Sequence, residues 1–213
     1  VYDGDTVTLD TGDKIRLRWV NTPERKPPEP FADEARRFTD RMVGNRRVDL
    51  VVMGDDARDG YGRIVAGLRT RDGDLSMALL EQGLGHVFIV PPDDADPAPL
   101  LAAQMKARAA KKGIWSHRSF QGELHVTSFH ANGRGDDHAF VNGEYFRIAN
   151  LTDHPVHLGG YKARDRAGRE HPLPAVDLPA GYTAKVCSGQ GTDYVGTERG
   201  LEVFLGSERP LWD

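Results

Sequence analysis

Arginine, amide, hydroxyl and carboxylate side chains are concentrated in residues 16–24, Arg-Leu-Arg-Trp-Val-Asn-Thr-Pro-Glu. This stretch alternates polar and apolar residues and stops at a proline, as a β-strand does, so its oxygen-bearing residues should gather at one strand end. Asp5, from Asp-Gly-Asp-Thr-Val upstream, and Arg63, from Tyr-Gly-Arg downstream, would complete the set. Carboxylate and amide oxygens suit a hard cation, and guanidinium groups suit a phosphate. The residues therefore predict a metal-dependent phosphodiesterase that cuts nucleic acid.

Five short β-rich runs and three helical stretches must position these residues. The runs are 6–9, 14–20, 47–53, 63–69 and 86–90. Apolar residues at helical spacing predict one helix after the proline-rich loop, a second after Asp74 as N-cap, and a third around Leu101. Gly-Ile-Trp at 113–115 then closes the domain. Five strands with three helices predict a small β-barrel with the helices packed on it.

Residues 118–123 are predicted to be a linker, and the sequence pattern changes beyond them. Short strand-like runs, separated by Gly, Pro and Asp turns, occur at 124–129, 145–150, 161–164, 183–187 and 201–205. Helical periodicity is absent from this half. The pattern predicts a first domain at 1–117 and an all-β sandwich at 124–213.

Charge and composition restrict the function classes. Residues 1–118 carry 19 basic and 19 acidic side chains, whereas 119–213 carry 9 and 13, which together give the net charge of −4. A protein that simply coats nucleic acid would be basic, so phosphate attraction must come from a few placed arginines. The sequence contains no run of about 18 apolar residues, so no membrane span is predicted. The single cysteine, Cys187, excludes an internal disulfide.

Several motifs, in order and at matching intervals, resemble the staphylococcal nuclease (thermonuclease) family. They are V-Y-D-G-D-T-V at 1–7, I-R-L-R-W-V-N-T-P-E at 15–24, D-G-Y-G-R at 59–63 and G-I-W at 113–115. The resemblance covers about the first 117 residues. It implies a five-stranded OB-fold barrel and calcium-dependent hydrolysis of DNA and RNA, as single strands or frayed duplex. It also implies a bacterial protein that is secreted or held in the cell envelope.

The resemblance assigns catalytic and substrate-binding roles. Arg16 and Arg63 would hold phosphate oxygens with their planar N–H forks, and Arg63 would also ease departure of the leaving oxygen. Glu24 would orient or deprotonate the attacking water. Tyr61 would stack on a base or touch a phosphate. Gly60 stands where the family often has a lysine, so one substrate contact is expected to be missing.

The resemblance also implies a metal site. The side chains of Asp5 and Asn21 and the backbone carbonyl of Thr22 would hold Ca²⁺, with waters completing its shell. The staphylococcal enzyme has aspartate at the position of Asn21. Asparagine keeps an oxygen but removes a negative charge. We therefore expect calcium to bind more weakly and the site to remain catalytically active.

The second half is similar to lamin-tail domains. The resemblance rests on N-G-E-Y-F-R-I-A-N-L at 142–151, V-H-L-G-G-Y at 156–161, L-P-A-G-Y-T-A-K-V at 178–186 and G-S-E-R-P-L-W at 206–212. It implies an immunoglobulin-like sandwich that serves as a tether or a partner-binding module, with no ligand named by the sequence.

Two other functions remain open at this stage. The barrel could be a catalytically weak or inactive nucleic-acid-binding scaffold, or the sandwich could be an adhesion or envelope-binding module beside a vestigial nuclease. Inactive scaffolds typically lose the arginine or glutamate positions. Asp5, Arg16, Glu24 and Arg63 are all present, which favours the enzyme.

Overall fold

The computed structural model of the chain describes residues 1–52, 57–93, 95–131, 141–196 and 198–212. The chain divides into two compact units: unit 1 is Val1–Phe88 with Asp96–Gln121, and unit 2 is Ile89–Ala95 with Gly122–Asp213. Within the described ranges, no helix is long and apolar enough to cross a lipid bilayer.

Unit 1 combines short strands with the three predicted helices. The strands are β1 (Thr6–Thr8), β2 (Lys14–Leu17), β3 (Trp19–Asn21), β4 (Asp49–Val52), β5 (Ile64–Thr70), β6 (Gly73–Asp74) and β7 (His86–Phe88), and the helices are α1 (Ala32–Val43), α2 (Leu75–Glu81) and α3 (Pro97–Ala109). One sheet has the order β1-β2-β5-β4 with β6 paired to β5, and β3 pairs separately with β7. All five predicted runs contain a strand; the last residue of the run 47–53 lies outside the described residues.

The predicted strand 14–20 is divided at Arg18, where the prediction of one continuous strand was wrong. Trp19 has a φ of 65°, a left-handed conformation that a bulky side chain rarely adopts. The backbone of Arg18 is fixed on both sides: its N–H donates to the carbonyl of Ala66 (3.1 Å) and its carbonyl accepts from the Ser76 hydroxyl (2.9 Å). This turn lets β3 leave the larger sheet and pair with β7.

Local capping explains where two helices begin. The carboxylate of Asp74 accepts a hydrogen bond from the N–H of Met77 (3.0 Å), which confirms the predicted N-cap of α2. Asp96 caps α3 in the same way by accepting from the N–H of Ala98 (3.0 Å). The third helix therefore starts at Pro97, a residue type suited to a first helical turn.

Most of the segment predicted to be a linker packs against unit 1. Arg118–Phe120 forms a 3₁₀ turn, and the Phe120 ring is 1% exposed. It meets Trp115 edge to face, with ring centroids 6.5 Å apart. Unit 1 therefore extends to Gln121 rather than to residue 117, because this aromatic pair gives the segment apolar surface to bury.

Unit 2 is built of short strands, and none of its described residues forms an α-helix. The strands are β8 (Leu124–His130), β9 (Tyr145–Asn150), β10 (Val156–His157), β11 (Lys162–Arg164), β12 (Glu170–Pro172), β13 (Asp177–Leu178), β14 (Thr183–Cys187) and β15 (Glu202–Phe204). A four-stranded sheet has the order β15-β14-β9-β8, and β10–β13 and β11–β12 form two antiparallel pairs. Each of the five predicted runs contains a strand, while β10, β12 and β13 are too short to produce a recognisable alternation.

A buried carboxylate organises the hairpin between β11 and β12. The side chain of Asp165 is 1% exposed and accepts hydrogen bonds from the backbone N–H of Arg169 (2.9 Å), from Arg169 Nε (2.6 Å) and from His171 Nε2 (3.2 Å). Burial acts to raise the pKa of Asp165, but these bonds and the Arg169 charge outweigh it and lower the pKa from 3.8 to about 2.

We expect Asp165→Asn to destabilise unit 2 at neutral pH. Because the folded pKa lies below the unfolded one, the carboxylate stabilises the fold above about pH 4, and this contribution is lost as the pH falls from about 4 to about 2. The difference in unfolding midpoint between wild type and variant should therefore shrink across that window, as measured by circular dichroism. Asp177→Asn is the control, since Asp177 and its partner His157 are both exposed. A constant difference from pH 7 to pH 2 would contradict the assignment.

Candidate active site

Asp5 joins the beginning of β1 to the end of β3. Its backbone carbonyl accepts from the N–H of Leu17 (2.8 Å), which fixes the residue beside β2. Its carboxylate oxygen Oδ2 accepts from both the N–H (2.7 Å) and the hydroxyl (3.1 Å) of Thr22. Two segments that are 17 residues apart in the chain are therefore held together at one edge of the barrel.

Arg16 lies beside this junction and is almost fully engaged. Its Nη1 donates to the carbonyls of Leu17 (2.6 Å) and Val20 (2.8 Å), and its Nη2 donates to Asn21 Oδ1 (2.9 Å) and lies 3.5 Å from Asp5 Oδ2. The side chain is 11% exposed. These bonds hold the planar guanidinium in one orientation, which a phosphate-binding group requires.

Glu24 follows the strand end in a closed turn. Its N–H donates to Glu29 Oε2 (2.8 Å), and the N–H of Glu29 donates back to the Glu24 carbonyl (2.8 Å). The residue as a whole is exposed, yet its carboxyl group is partly desolvated and close to other acidic groups. This desolvation, followed by the charges of Asp5 and Asp3, raises the pKa of Glu24 to about 7, against a smaller lowering effect of Arg16.

Asp3 belongs to the same cluster, and the sequence prediction did not assign it a role. It is buried, and its Oδ1 has no hydrogen-bond partner within the described part of the chain. Burial and the neighbouring charge of Asp5 raise the pKa of Asp3 to about 6. The signal was present in the sequence, because Asp3 and Asp5 flank one glycine and both can reach the same side of a tight turn.

Arg63 reaches the cluster through one intermediate residue. Its Nε donates to Asp59 Oδ2 (2.8 Å), and its Nη1 lies 3.5 Å from the hydroxyl of Thr6, which in turn donates to Asp5 Oδ1 (3.2 Å). The guanidinium carbon lies 5.3 Å from the centre of the Tyr61 ring, and Tyr61 is 71% exposed. Arg63 and Tyr61 therefore lie together at the solvent-facing side of the cluster, with the guanidinium over the aromatic ring.

The donor set fits a divalent cation. The charge of Asp5 contributes to the raised pKa values of Asp3 and Glu24, and within the described residues a buried oxygen of Asp3 has no hydrogen-bond partner. A bound cation would relieve both conditions. In the described residues, no three His, Cys, Asp or Glu side chains are arranged to hold a metal by themselves. Asn21, the Thr22 carbonyl and water would have to complete the shell, as hard-cation sites allow.

Gly4 permits the close approach of this turn to its neighbours. A Cβ added at Gly4 would lie 2.7 Å from Thr22 Cγ2 and 2.8 Å from Ala35 Cβ. We therefore expect Gly4→Ala to lower the free energy of unfolding by about 1–3 kcal/mol through overpacking, and to reduce activity by displacing Asp5. Urea unfolding and a cleavage assay would check both effects.

Gly60→Ala is the matched control for that experiment. A Cβ at Gly60 would meet nothing within 4 Å. The free energy of unfolding of the Gly60→Ala variant should therefore stay within ~0.5 kcal/mol of wild type. Equal stability of the two variants would contradict the role given to Gly4.

Unit 1 is thus a small barrel of the OB type that holds Arg16 and several oxygen-bearing side chains together at one edge, with Arg63 nearby. The chain belongs to the family described as staphylococcal nuclease homologue, whose sequence model matches residues 14–117. Unit 2 lies almost entirely beyond the matched residues.

Individual relatives agree with the family match. The chain is similar to a thermonuclease of Staphylococcus intermedius, with 31% identity over 122 residues that cover 54% of this chain and 72% of the relative. It is 32% identical over 124 residues to a thermonuclease of Staphylococcus hyicus, covering 55% and 73%. It is 27% identical over 126 residues to Endonuclease YncB of Bacillus subtilis, covering 55% and 60%.

Proposed function

We propose that this protein is a calcium-dependent nuclease that hydrolyses phosphodiester bonds of DNA and RNA with little sequence preference. The observation that carries the proposal is the bonded cluster of Asp5, Arg16, Asn21 and Thr22, with Glu24 beside it. Relatives named thermonuclease and endonuclease support a nuclease, and hence a nucleic-acid substrate. We propose export or the cell envelope as its location, and a tethering or partner-binding role for unit 2 as a lamin-tail module.

The proposed chemistry follows from the charge of the substrate. A phosphodiester repels a nucleophile, and its transition state places more negative charge on the phosphorus oxygens. Arg16 and Arg63 would bind those oxygens with oriented N–H groups that need no rearrangement during the reaction. Glu24 would orient a water molecule and accept its proton.

Asp5, Asn21 and the carbonyl of Thr22 would hold the cation, with Asp3 adding negative charge behind them. When bound, Ca²⁺ supplies positive charge that offsets the charge of the phosphate. Because Asn21 contributes an oxygen without a charge, we propose that calcium is held less tightly than it would be with aspartate at this position.

Removal of calcium should abolish cleavage of denatured DNA. We expect EGTA to lower the rate at least ~100-fold, since the electrostatic contribution at the phosphate is lost, and added Ca²⁺ to restore it. The release of acid-soluble nucleotides measures the rate, and a parallel sample with EGTA and excess calcium controls for inhibition by the chelator. Full cleavage in EGTA would refute calcium dependence.

A further inference from the structure

Asn21 has a buried partner that the nuclease chemistry does not use. In the β3–β7 pair, Asn21 stands directly opposite His86, and the two are 7% and 1% exposed. The Nδ2 of Asn21 lies 3.5 Å from His86 Nε2, and His86 Nδ1 lies 2.9 Å from the carbonyl of Val87. Asn21, a candidate calcium ligand, therefore lies against the buried side chain of His86 between β3 and β7.

The hydrogen bonds determine which atoms carry protons. The carbonyl of Val87 can only accept, so His86 Nδ1 must carry the proton that donates to it. In the neutral ring, Nε2 is then an acceptor and receives the N–H of Asn21 Nδ2. Arg16 can only donate, so it requires Oδ1 of Asn21 on its side, at 2.9 Å. Two independent contacts thus assign the same orientation to the Asn21 amide.

The ring of His86 also connects to the support of Arg16. His86 meets Phe88 edge to face with ring centroids 6.3 Å apart, and the Arg16 guanidinium carbon lies 5.5 Å from the centre of the Phe88 ring. Asn21, His86 and Phe88 lie on one face of the β3–β7 pair, because they occupy alternating positions in register. Arg16 therefore rests on Phe88, the ring that packs against His86.

We propose that His86 is a positioning residue that holds the Asn21 side chain with its oxygen turned toward Arg16 and the cation. Because Nε2 of His86 accepts a hydrogen bond, His86 favours an amide over a carboxylate at position 21. The inference rests on the proposed function and deepens it. With the neutral imidazole described above, an aspartate at position 21 would place an oxygen lone pair against the lone pair of Nε2. A glutamine at position 86 could offer its oxygen to Asn21 or its N–H to an aspartate, so it accommodates both residues.

Calcium binding measured by titration calorimetry, without nucleic acid, tests this coupling. We expect His86→Leu to weaken calcium binding roughly tenfold, because the ligand amide loses its partner, and His86→Gln to recover most of that loss. Asn21→Asp should tighten binding several-fold more in the His86→Gln background than in the wild-type background. Nitrogen NMR of the imidazole should show the proton on Nδ1. Thermal unfolding of each variant separates loss of binding from loss of fold.

Three outcomes count against the inference. Unchanged calcium affinity in a folded His86→Leu variant would overturn it. So would effects of Asn21→Asp and His86→Gln that add to within about twofold, since independent sites behave in that way. A wild-type protein that neither binds calcium nor cleaves DNA would remove the proposed function itself. Calcium-dependent cleavage without the coupling would remove only the role of His86.

Discussion

Glu24→Gln is expected to lower kcat for denatured DNA by about 10²–10⁴-fold, the usual contribution of a positioned general base. Glutamine keeps the size and hydrogen-bonding capacity of the side chain but cannot accept a proton from water. The carboxyl group stands beside Asp5 and Asp3 at the end of β3. The backbone bonds that close the turn between Glu24 and Glu29 do not involve this side chain, so the fold should be unaffected. Steady-state kinetics at saturating calcium measure the effect.

Glu34→Gln provides the control for a general loss of negative charge. Glu34 lies on α1, where its half-exposed side chain pairs only loosely with Arg37, at 3.4 Å. The Glu34→Gln substitution should leave kcat near the wild-type value. If Glu24→Gln retained full activity with an unchanged unfolding midpoint, another group would have to activate the water, and the role of Glu24 would be withdrawn.

Arg16→Lys is expected to reduce kcat by about 10²–10³-fold, the effect of removing one preorganised stabiliser of transition-state charge. Lysine preserves the positive charge but cannot form the planar fork, so it cannot bond Asn21 and the two backbone carbonyls while also facing a phosphate. The loss should be larger in kcat than in KM if the fork acts mainly on the transition state. Single-turnover measurements at several substrate concentrations would separate the two.

The stability of the Arg16 variant must be measured alongside its activity. Arg16 bonds the carbonyls of Leu17 and Val20, and their loss would lower the unfolding midpoint. Arg37→Lys, an exposed substitution on α1, controls for the chemical change alone. A folded Arg16→Lys protein with wild-type kcat would exclude the phosphate-binding role.

Much of the fold follows from local pattern. The runs at 145–150 and 183–187 coincide with β9 and β14, because short strand-like runs bounded by turn residues define these strands. Asp74 identified the start of α2 for a similar local reason. The division of β2 from β3 could not be predicted, since it depends on a left-handed Trp19 and on the hydrogen bonds that the backbone of the preceding Arg18 makes with Ala66 and Ser76.

The site residues were selected from motifs, and the structure shows how they are joined. Arg16, Asp5, Asn21 and Thr22 are joined by hydrogen bonds and an ion pair, whereas among the described residues Arg63 is connected to them through Thr6. The sequence could not reveal His86 as the partner of Asn21, because their pairing depends on the register between two strands 65 residues apart. Cross-strand partners of this kind become visible only when register is known.

The assignment of Ile89–Ala95 to unit 2 affects any attempt to separate the two halves. Ile89 is fully buried, its N–H donates to the carbonyl of Gly181 (3.1 Å), and its carbonyl accepts from the N–H of Thr183 (3.0 Å). A polypeptide that begins at residue 122 would lack residues 89–95 and their hydrogen bonds to Gly181 and Thr183, and the first residues of β14 would be exposed. Domain swaps and binding assays with the C-terminal half should therefore use a chain in which 89–95 is spliced to 122–213.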